Sequence, residues 1–352
     1  MSASPILQTL PLGAQWPCMD PFLFCAHHND AYPAGDGQMG VQAVELEGRP
    51  MGSDFSGKDG FSMYHGDHVP GFPGHPHRGF ETVTLVRKGL IDHADSLGAA
   101  ARFGGGDVQW VTAGAGIMHS EMFPLLHTDQ PNPLELFQIW LNLPASHKMV
   151  QPHFTMLWNE RIPRLIHTDA AGKTTTVTVV AGALAGAGAP LPPPPESWAA
   201  QDGADVAIWT LRLEPGARWT LPSARGAETR RMLYWFVGDA LVLEGQALAL
   251  EGQALAQHAA LHLDATRAVE LVNTGAEVAE LVLLQGRPLQ EPVVQYGPFV
   301  MNTKEEIMQA MQDFRRTQFG GWPWDSQAPV HGSVPRRFAR HPGAEQDELP
   351  SP

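Results

Sequence analysis

The sequence predicts an all-β protein built from two barrel or sandwich domains, with one helix near the C-terminal end. Three observations predict this class. The 352 residues include 36 glycines and 31 prolines spread along the chain, a composition that favours short strands joined by turns. Segments with the composition or the alternation of strands recur between these turn residues. The chain is also longer than the roughly 250–300 residues at which a single core stops growing, which predicts two domains.

A series of segments is predicted as strands, and turn residues separate most of them. In order they are Val41–Leu46, Phe80–Val86, Gly106–Val111, Leu136–Leu143, Thr174–Val180, Asp205–Leu213, Leu233–Val237, Leu241–Leu243, Val269–Asn273 and Val278–Leu284. Such spacing is typical of sandwiches and barrels. We place the domain boundary around Pro144–Pro163, which gives a first domain over residues 16–150, a second over 151–290 and a C-terminal segment over 291–352.

The clearest helix is predicted over residues 303–319, inside the C-terminal segment. Thr303 is a suitable N-cap, and Glu306 stands at the capping-box position. The helix carries an apolar stripe formed by Ile307, Ala310, Met311 and Phe314. Two glycines at 320–321 end it. The residues after them, 322–352, combine prolines with charged residues and show no periodicity. The Trp322–Trp324 portion could pack onto the body, and the end is predicted to be a flexible tail.

Composition and charge limit the partners and the compartment. The formal net charge of −14 argues against a direct grip on nucleic-acid phosphates or anionic lipid, but it permits a protein partner or a neutral organic substrate. Only two cysteines are present, Cys18 and Cys25, which favours a reducing compartment. Residues 1–16 lack Lys, Arg and a long apolar core, and no apolar run approaches the roughly 18 residues of a membrane span. We therefore predict a soluble, cytoplasmic protein.

Two short motifs carry metal-ligand residues at strand spacing. The first pairs His75 with His77, and the second pairs His119 with Glu121. In a strand, residues i and i+2 project to the same side of the sheet. Two such pairs on neighbouring strands could gather three imidazoles and one carboxylate around one point. This set suits a divalent first-row metal and leaves coordination positions open for chemistry.

The layout around these pairs resembles the two metal motifs of the cupin superfamily. Glu81 follows His77 at the spacing of the first motif, and a Gly-x-Gly-x2-His pattern leads to His119 in the second. Two positions depart from the general cupin pattern, because an extra residue separates Glu81 from Gly89 and because Gly114 stands where proline is usual. The resemblance implies small β-barrels whose strands carry the ligands on their inner side.

A more specific resemblance, to the pirin family, extends over most of the chain. It is carried by residues 75–84 and 106–122, which contain both metal motifs. Further matches are Asp20–Leu23, His93–Ser96, Trp140–Leu143, Lys148-Met149 and Glu291–Thr303. The resemblance implies two tandem cupin domains, each a jelly-roll β-barrel, with a C-terminal helix. It also implies a monomer with a single metal ion, usually iron, in the N-terminal barrel.

The pirin resemblance assigns the metal ligands residue by residue. The family's ligands are the two histidines of the His-x-His motif, a later histidine and the glutamate after it, and they fall on His75, His77, His119 and Glu121. The resemblance favours Fe(II), while the donor types also suit Mn, Co, Ni, Cu and Zn. In the second domain His258 and His262 lack the corresponding motifs, so no metal is expected there.

Glu81 has three possible roles. Its offset from His77 is even, so both side chains share a face if the strand stays regular. We favour a role in which Glu81 supports and orients a ligand, since such groups tune imidazole basicity. A structural or surface role and direct ligation are the alternatives.

The remaining candidates have ordinary explanations as well as functional ones. His65 and His68 precede the site and could form its rim, although an ordinary loop is favoured. His93 and Asp95 are expected to form a hydrogen-bonded structural pair. Apolar residues that flank the ligands could form a wall for an aromatic substrate, but core packing explains them equally well; they are Phe80, Trp110, Met118, Phe123 and Phe137.

Two function classes follow from the resemblance. Some pirins are dioxygenases that open the ring of a flavonol such as quercetin with dioxygen, and here Glu121 is the candidate general base, with Glu81 as runner-up. Other pirins are non-enzymatic, iron-dependent regulators that bind a transcription factor or a metabolic enzyme. A catalytically silent cupin is a third possibility, and four intact ligand positions disfavour it.

Overall fold

The computed structural model describes residues 4–351 except 245, 248, 251, 252 and 255–258. It confirms an all-β chain with a long C-terminal helix. The elements are β1 (Ile6–Pro11), β2 (Phe22–Tyr32), α1 (Ala43–Leu46), β3 (Gly71–His77), β4 (Phe80–Lys88), β5 (Leu90–Asp95), β6 (Ala100–Gly104), β7 (Val108–Thr112), β8 (Ile117–Met122), β9 (Asn132–Asn142), β10 (His153–Leu157), β11 (Arg164–Thr168), β12 (Thr174–Ala181), β13 (Ala207–Leu213), β14 (Arg218–Leu221), β15 (Arg230–Val237), β16 (Leu241–Leu243), β17 (Gln246–Ala247), β18 (Ala249–Leu250), β19 (Gln253–Ala254), β20 (Ala259–Leu263), β21 (Val269–Asn273), β22 (Ala279–Gly286), β23 (Val294–Tyr296), β24 (Phe299–Met301), α2 (Lys304–Thr317) and β25 (Phe338–Arg340).

The strand predicted over Val41–Leu46 is wrong, because Ala43–Leu46 forms the short helix α1. No residue of α1 is buried, and Val44 is 66% exposed. An apolar run without a sheet to cover it has no partner for its backbone groups, so a helical turn satisfies them locally. The strand predicted from Gly106 begins at Val108 instead, since Gly106 adopts a positive φ of 102° in the preceding turn.

The chain forms two compact units. One, the first barrel unit, comprises His27–Glu160 and Glu291–Pro352, and the other, the second barrel unit, comprises Met1–Ala26 and Arg161–Gln290. The N-terminal strand belongs to the second unit because β1 pairs with β20. Pairing between strands so distant in sequence leaves no local pattern, so the predicted bounds of 16–150 and 151–290 could not include it.

In the first barrel unit, two antiparallel sheets have the strand orders β10-β7-β4-β9-β2 and β25-β6-β5-β8-β3. One hydrophobic core joins them, with Val86 and Val111 from the first sheet and Ile91 and Phe103 from the second. In the second barrel unit the sheets follow β1-β20-β15-β22-β13-β12-β11 and β14-β21-β16-β17. Its core is rich in leucine and tryptophan.

The predicted helix is confirmed as α2. The Thr303 side chain accepts a hydrogen bond from the Glu306 N–H, and the Glu306 carboxylate accepts from the Thr303 N–H, so the capping box is complete. The helix ends at Thr317 because Gln318 is left-handed, with φ 47°. Ile307 is among its buried residues.

The segment after α2 is held against the first barrel unit, so the packing predicted for the Trp322–Trp324 portion is confirmed at Trp324, and the flexible tail predicted for the end is wrong. Its strand β25 pairs with the edge strand β6, and the Trp324 indole donates to the Asp95 carbonyl at 2.8 Å. The Arg102 guanidinium, paired with Asp92, donates to the Val334 carbonyl at 2.6 Å. An available sheet edge orders this segment, although the segment itself has no strand pattern. Among the described residues, no helix combines the length and the apolarity that crossing a membrane would require.

Candidate metal centre

Three histidines from two adjacent strands converge inside the first barrel unit. β3 and β8 are antiparallel neighbours, and His75 lies directly opposite His119 in their register. His77 follows His75 on the same face. The ring centroids are 4.5 Å apart for His75 and His119, and 4.8 Å apart for each of the other two pairs. Each ring offers a nitrogen atom, and these atoms all lie within 4.8 Å of one another. In the described part of the chain, this is the one such group of three or more His, Cys, Asp or Glu side chains.

The three imidazoles are neutral and ready to coordinate. Burial lowers the pKa of His75 to about 4, and burial lowers the pKa values of His77 and His119 well below the usual range. Neither ring nitrogen of His119 has a hydrogen-bond partner among the described residues, and the same holds for Nδ1 of His77. Buried polar atoms are normally paired, so these orphaned lone pairs fit a divalent transition metal.

His75 is oriented by its own backbone neighbourhood. Its Nδ1 lies 2.9 Å from the carbonyl oxygen of Pro73, which fixes a tautomer that donates from Nδ1 and leaves Nε2 as the ligand atom. His75 is also the half-buried member of the set, whereas His77 is 4% exposed and His119 is fully buried. The cluster therefore opens on the side of His75.

Glu121 lies two residues beyond His119 on β8 and is 5% exposed. The Thr84 hydroxyl oxygen is 2.9 Å from Oε1 of Glu121, and the Gln138 amide donates to Oε2 at 3.3 Å. Burial raises the pKa of the Glu121 carboxyl. The carboxylate is not among the atoms that lie within 4.8 Å of one another in the histidine cluster. It is held at the side of the cluster by β4 and β9.

The structure does not bring Glu81 to the cluster. The strand does not stay regular after His77: the chain turns at Gly79, whose φ is 85°, and Glu81 continues in β4 of the other sheet. Thr84 faces Glu121, and Glu81 is three positions away from Thr84 in the same strand, so the two point to opposite faces. On that opposite face Glu81 is fully buried and accepts a hydrogen bond from the Thr112 hydroxyl at 2.6 Å.

The predicted pair of His93 and Asp95 is confirmed. His93 Nε2 lies 3.2 Å from Asp95 Oδ2, and both residues are fully buried on β5. The pair is close to the cluster, because His93 stands opposite Glu121 in the register and its ring is 5.5 Å from that of His119. His65 remains exposed at the rim, 5.8 Å from the Phe72 ring.

Polar residues on β4, β7 and β9 that the sequence analysis missed share the face of Thr84. Gln109 and Gln138 stand directly opposite Thr84 on the two neighbouring strands. Both amide atoms of Gln109 and the hydroxyl of Thr82 have no partner among the described residues, although Gln109 is fully buried. The signal was present in the sequence, because polar residues at alternate positions of apolar strands mark a polar inner face.

The predicted aromatic wall is only partly present. Phe80 contacts the site, with its ring 5.0 Å from that of His77. Trp110 and Phe137 stand opposite Val83 and Leu85, on the face of β4 that points away from Thr84. Those two aromatic residues therefore belong to packing outside the site, as the alternative explanation held.

Met118 and Phe123 are the two remaining residues of the predicted apolar wall. Met118 precedes His119 in β8 and therefore points to the other face of that strand. Phe123 lies near the rim, with its ring 6.1 Å from that of Phe72.

The second barrel unit shows no comparable cluster in its described residues. His262 lies on β20 opposite Met232, with no group of metal-ligand side chains around it. His258 lies outside the described residues. Both cysteines, Cys18 and Cys25, are free thiols.

Comparison with known proteins gives a consistent picture. Residues 8–141 match the family model described as Pirin, and residues 208–320 match the model described as the Pirin C-terminal cupin domain. A relative from Pseudomonas aeruginosa is 36% identical over 248 residues, which cover 70% of this chain and 78% of the relative. Its name describes it as a quercetin 2,3-dioxygenase whose activity is assigned provisionally. Human pirin is 34% identical over 265 residues, covering 74% of this chain and 81% of that protein. The crystal structure of a quercetin 2,3-dioxygenase from Acinetobacter baumannii is 26% identical, covers 90% of this chain and 98% of its own, and has a TM-score of 0.66.

Proposed function

This chain belongs to the pirin family and has two cupin-type domains, and from that premise we propose that it is a metal-dependent dioxygenase that opens the ring of a flavonol such as quercetin. The observation that carries the proposal is the convergence of three imidazoles, with Nδ1 of His77 and both ring nitrogens of His119 unpartnered among the described residues, beside the Glu121 carboxylate. The names of the Pseudomonas and Acinetobacter relatives support the substrate class.

The proposed metal ligands are His75, His77, His119 and Glu121, and the proposed metal is Fe(II). The donor set also accepts Mn, Co, Ni, Cu or Zn, so the family likeness decides between them. A divalent metal at this position would act as a Lewis acid that lowers the pKa of the flavonol hydroxyl and brings the substrate together with dioxygen. We also propose a monomeric, cytoplasmic protein.

Glu121 is the proposed general base, because its buried carboxylate lies two residues beyond His119 and is hydrogen-bonded to the side chains of Thr84 and Gln138. The Thr84 hydroxyl lies 2.7 Å from Gln138 Oε1 as well as 2.9 Å from Glu121, so its single hydrogen serves one acceptor at a time. Burial raises the pKa of the Glu121 carboxyl, so this group could take the proton of a flavonol hydroxyl and hold it in the site. Glu81 points away from this space and is not assigned the role.

The overall reaction fixes what an assay must detect. One flavonol consumes one dioxygen, both oxygen atoms remain in the ring-opened ester, and one carbon leaves as carbon monoxide. Protein loaded with iron under anaerobic conditions is mixed with quercetin and oxygen, and the loss of flavonol absorbance is followed together with carbon monoxide. Turnover supports the proposal, and an absence of turnover with every first-row divalent metal rejects it.

Thr84→Val tests the role given to Glu121. Valine keeps the shape of the side chain but removes the hydroxyl, so the Glu121 carboxylate loses one of its hydrogen-bond partners. We expect kcat to fall about tenfold, less than the roughly 10²–10⁴-fold that a whole general base contributes because the carboxylate itself remains, with metal content unchanged. An unchanged kcat and pH profile would show that the hydrogen bond has no part in the reaction.

The alternative function is an iron-dependent regulator that binds a transcription factor or a metabolic enzyme. The net charge of −14 is compatible with a basic partner surface. In that case the protein binds metal through the same residues but shows no turnover in the assay above.

A further inference from the structure

We propose that an aromatic entrance, formed by Phe55, Tyr64, His65 and Phe72, binds flat aromatic compounds beside His75. The inference rests on the proposed function for its connection to catalysis, and it adds the substrate class and the surface that selects it. Planar ring systems of two or three fused or linked aromatic rings, flavonols among them, fit such a surface.

The rings of the entrance form one continuous contact series that ends at a metal-ligand candidate. Phe55 contacts Tyr64 edge-on, with centroids 5.4 Å apart, and lies 5.2 Å from the His65 ring. Tyr64 stacks on Phe72 at 5.0 Å. The Phe72 ring is 6.3 Å from that of His75. These separations are those of interacting aromatic pairs, so a further ring can extend the same series.

The solvent exposure of the rings in this series indicates which side of the histidine cluster is open. Phe55 is 55% exposed and His65 is exposed, while Phe72 and His75 are half-buried. Next to His75, the Gly74 N–H donates to the Gln327 carbonyl at 2.7 Å. The exposed rings of Phe55 and His65 therefore form the accessible end of the series, and His75 forms its other end.

The entrance is held in place by a buried ion pair. Arg49 donates to Asp54 at 3.0 Å, both side chains are fully buried, and Asp54 is the residue directly before Phe55. The Arg49 guanidinium also lies 3.7 Å above the Phe61 ring. The loop that carries the exposed ring is thus fixed by its neighbours, which reduces the entropy that a ligand would otherwise have to overcome.

Tyr64 is held in a strained conformation that the fold maintains. Its φ is 55°, which is a rare value for a bulky residue. The hydroxyl donates to Asp30 at 2.8 Å and lies 2.7 Å from Nδ1 of His28. Strain of this kind persists where the surroundings fix a side chain for a purpose, and here it keeps the Tyr64 ring flat against Phe72. A single exposed phenylalanine needs no explanation, but one joined to a strained, stacked cluster beside a metal site does.

The test measures binding separately from turnover. Zinc-loaded full-length protein, which cannot carry out redox chemistry at the metal, is titrated with a flavone that lacks the 3-hydroxyl group. We expect Phe55→Ala to raise the Kd for the flavone about five- to tenfold, and Phe55→Tyr to restore it, with zinc content equal in all variants. Tyr296→Ala, which removes a ring that is 62% exposed in β23, is the matched control and should leave the Kd unchanged.

The outcomes separate this inference from the proposed function. A Kd that is unchanged in Phe55→Ala, or no flavone binding by the unmodified protein, overturns the entrance even if quercetin is turned over. Binding that depends on Phe55 in a protein without turnover sustains the entrance and rejects the dioxygenase. If both hold, Phe55→Ala should raise KM for quercetin by the same factor and leave kcat unchanged.

Discussion

Two strands that lie inside antiparallel sheets, one in each barrel unit, carry side chains of opposite polarity. In the first unit, alternate residues of β4 on the face toward Glu121 include Thr82 and Thr84. In the second unit, alternate residues of β15 deliver Leu233 and Trp235 to the core. Both strands lie inside antiparallel sheets of two-sheet units. The fold therefore supplies positions on a strand face. The residue types at those positions decide whether a unit can bind a ligand or only forms a packed core.

The difference in polarity between the two cores also affects the stability of the two units. The second core buries leucine and tryptophan, and the indole N–H of Trp235 still reaches the Val237 carbonyl at 2.7 Å. The first unit buries histidines, Glu121 and the unpartnered amide of Gln109. Burying polar groups without partners costs stability. We therefore expect the first unit to be the one whose stability depends on a ligand.

The largest expected effect concerns the proposed metal site. His119→Ala deletes its fully buried imidazole, and we expect the metal content after gel filtration to fall below about one-tenth of an ion per chain, because even the loss of a group that supports a ligand typically costs about 10–100-fold in metal affinity. His75→Ala should do the same. His262→Ala, in β20 of the second unit, is the control and should leave metal content alone. Metal content that is unchanged in both first-unit variants would refute the site.

The second prediction concerns a substitution in the core of the second barrel unit. Trp235→Ala opens a cavity in the second core, where the side chain is 1% exposed, and should lower the free energy of unfolding of that unit by about 3–5 kcal/mol. Chemical unfolding measures the loss. The metal content of the remaining folded protein should equal that of the unmodified chain. Loss of metal in this variant would mean that the two units are not independent in binding.

Metal itself provides the third prediction. Zn(II) at about 100 times its Kd should stabilise the protein by about 2.7 kcal/mol, because it binds the folded state. Hydrogen exchange should show the added protection on β3 and β8. His119→Ala should show none. Equal protection on β15 and β22 would indicate a metal site in the second unit.

The smallest effect compares two buried glutamines. Gln285, in the second unit, accepts hydrogen bonds from the buried Arg231 at 2.9 and 2.6 Å, so Gln285→Leu leaves Nε and Nη2 of that guanidinium without this acceptor and should cost about 2 kcal/mol. Gln109→Leu removes an amide that has no partner among the described residues, and it should change stability by less than about 1 kcal/mol in the metal-free protein. Thermal unfolding of both variants decides. A larger cost for Gln109→Leu would show that its amide is paired through solvent.

The sequence predicted the local structure well where a pattern is complete within a few residues. The capping box of Thr303 and Glu306 appeared as expected because both partners lie within one helical turn. The i, i+2 rule placed His75 and His77 on one face for the same reason. It failed for Val41–Leu46, where an apolar run had no sheet to join, and for β25, where an available edge made a strand from residues without a pattern.

Glu81 shows why the rest required the fold. Its even offset from His77 placed it on the ligand face only as long as the strand continued, and the turn at Gly79 moved it to another sheet and the opposite face. Gln109 and Gln138 are 29 residues apart, and only the pairing of β7 and β9 with β4 brings them to either side of Thr84.

The sequence by itself determined the all-β class, the capped helix and which side chains share a face within each motif, because helix caps and side-chain alternation are properties of neighbouring residues. Only the tertiary structure decided that β3 lies against β8 with His75 opposite His119, and that the Phe55 ring contacts the rings of Tyr64 and His65. Strand pairing and register depend on residues far apart in the chain, and on which buried surfaces fit together, so no local pattern contains them.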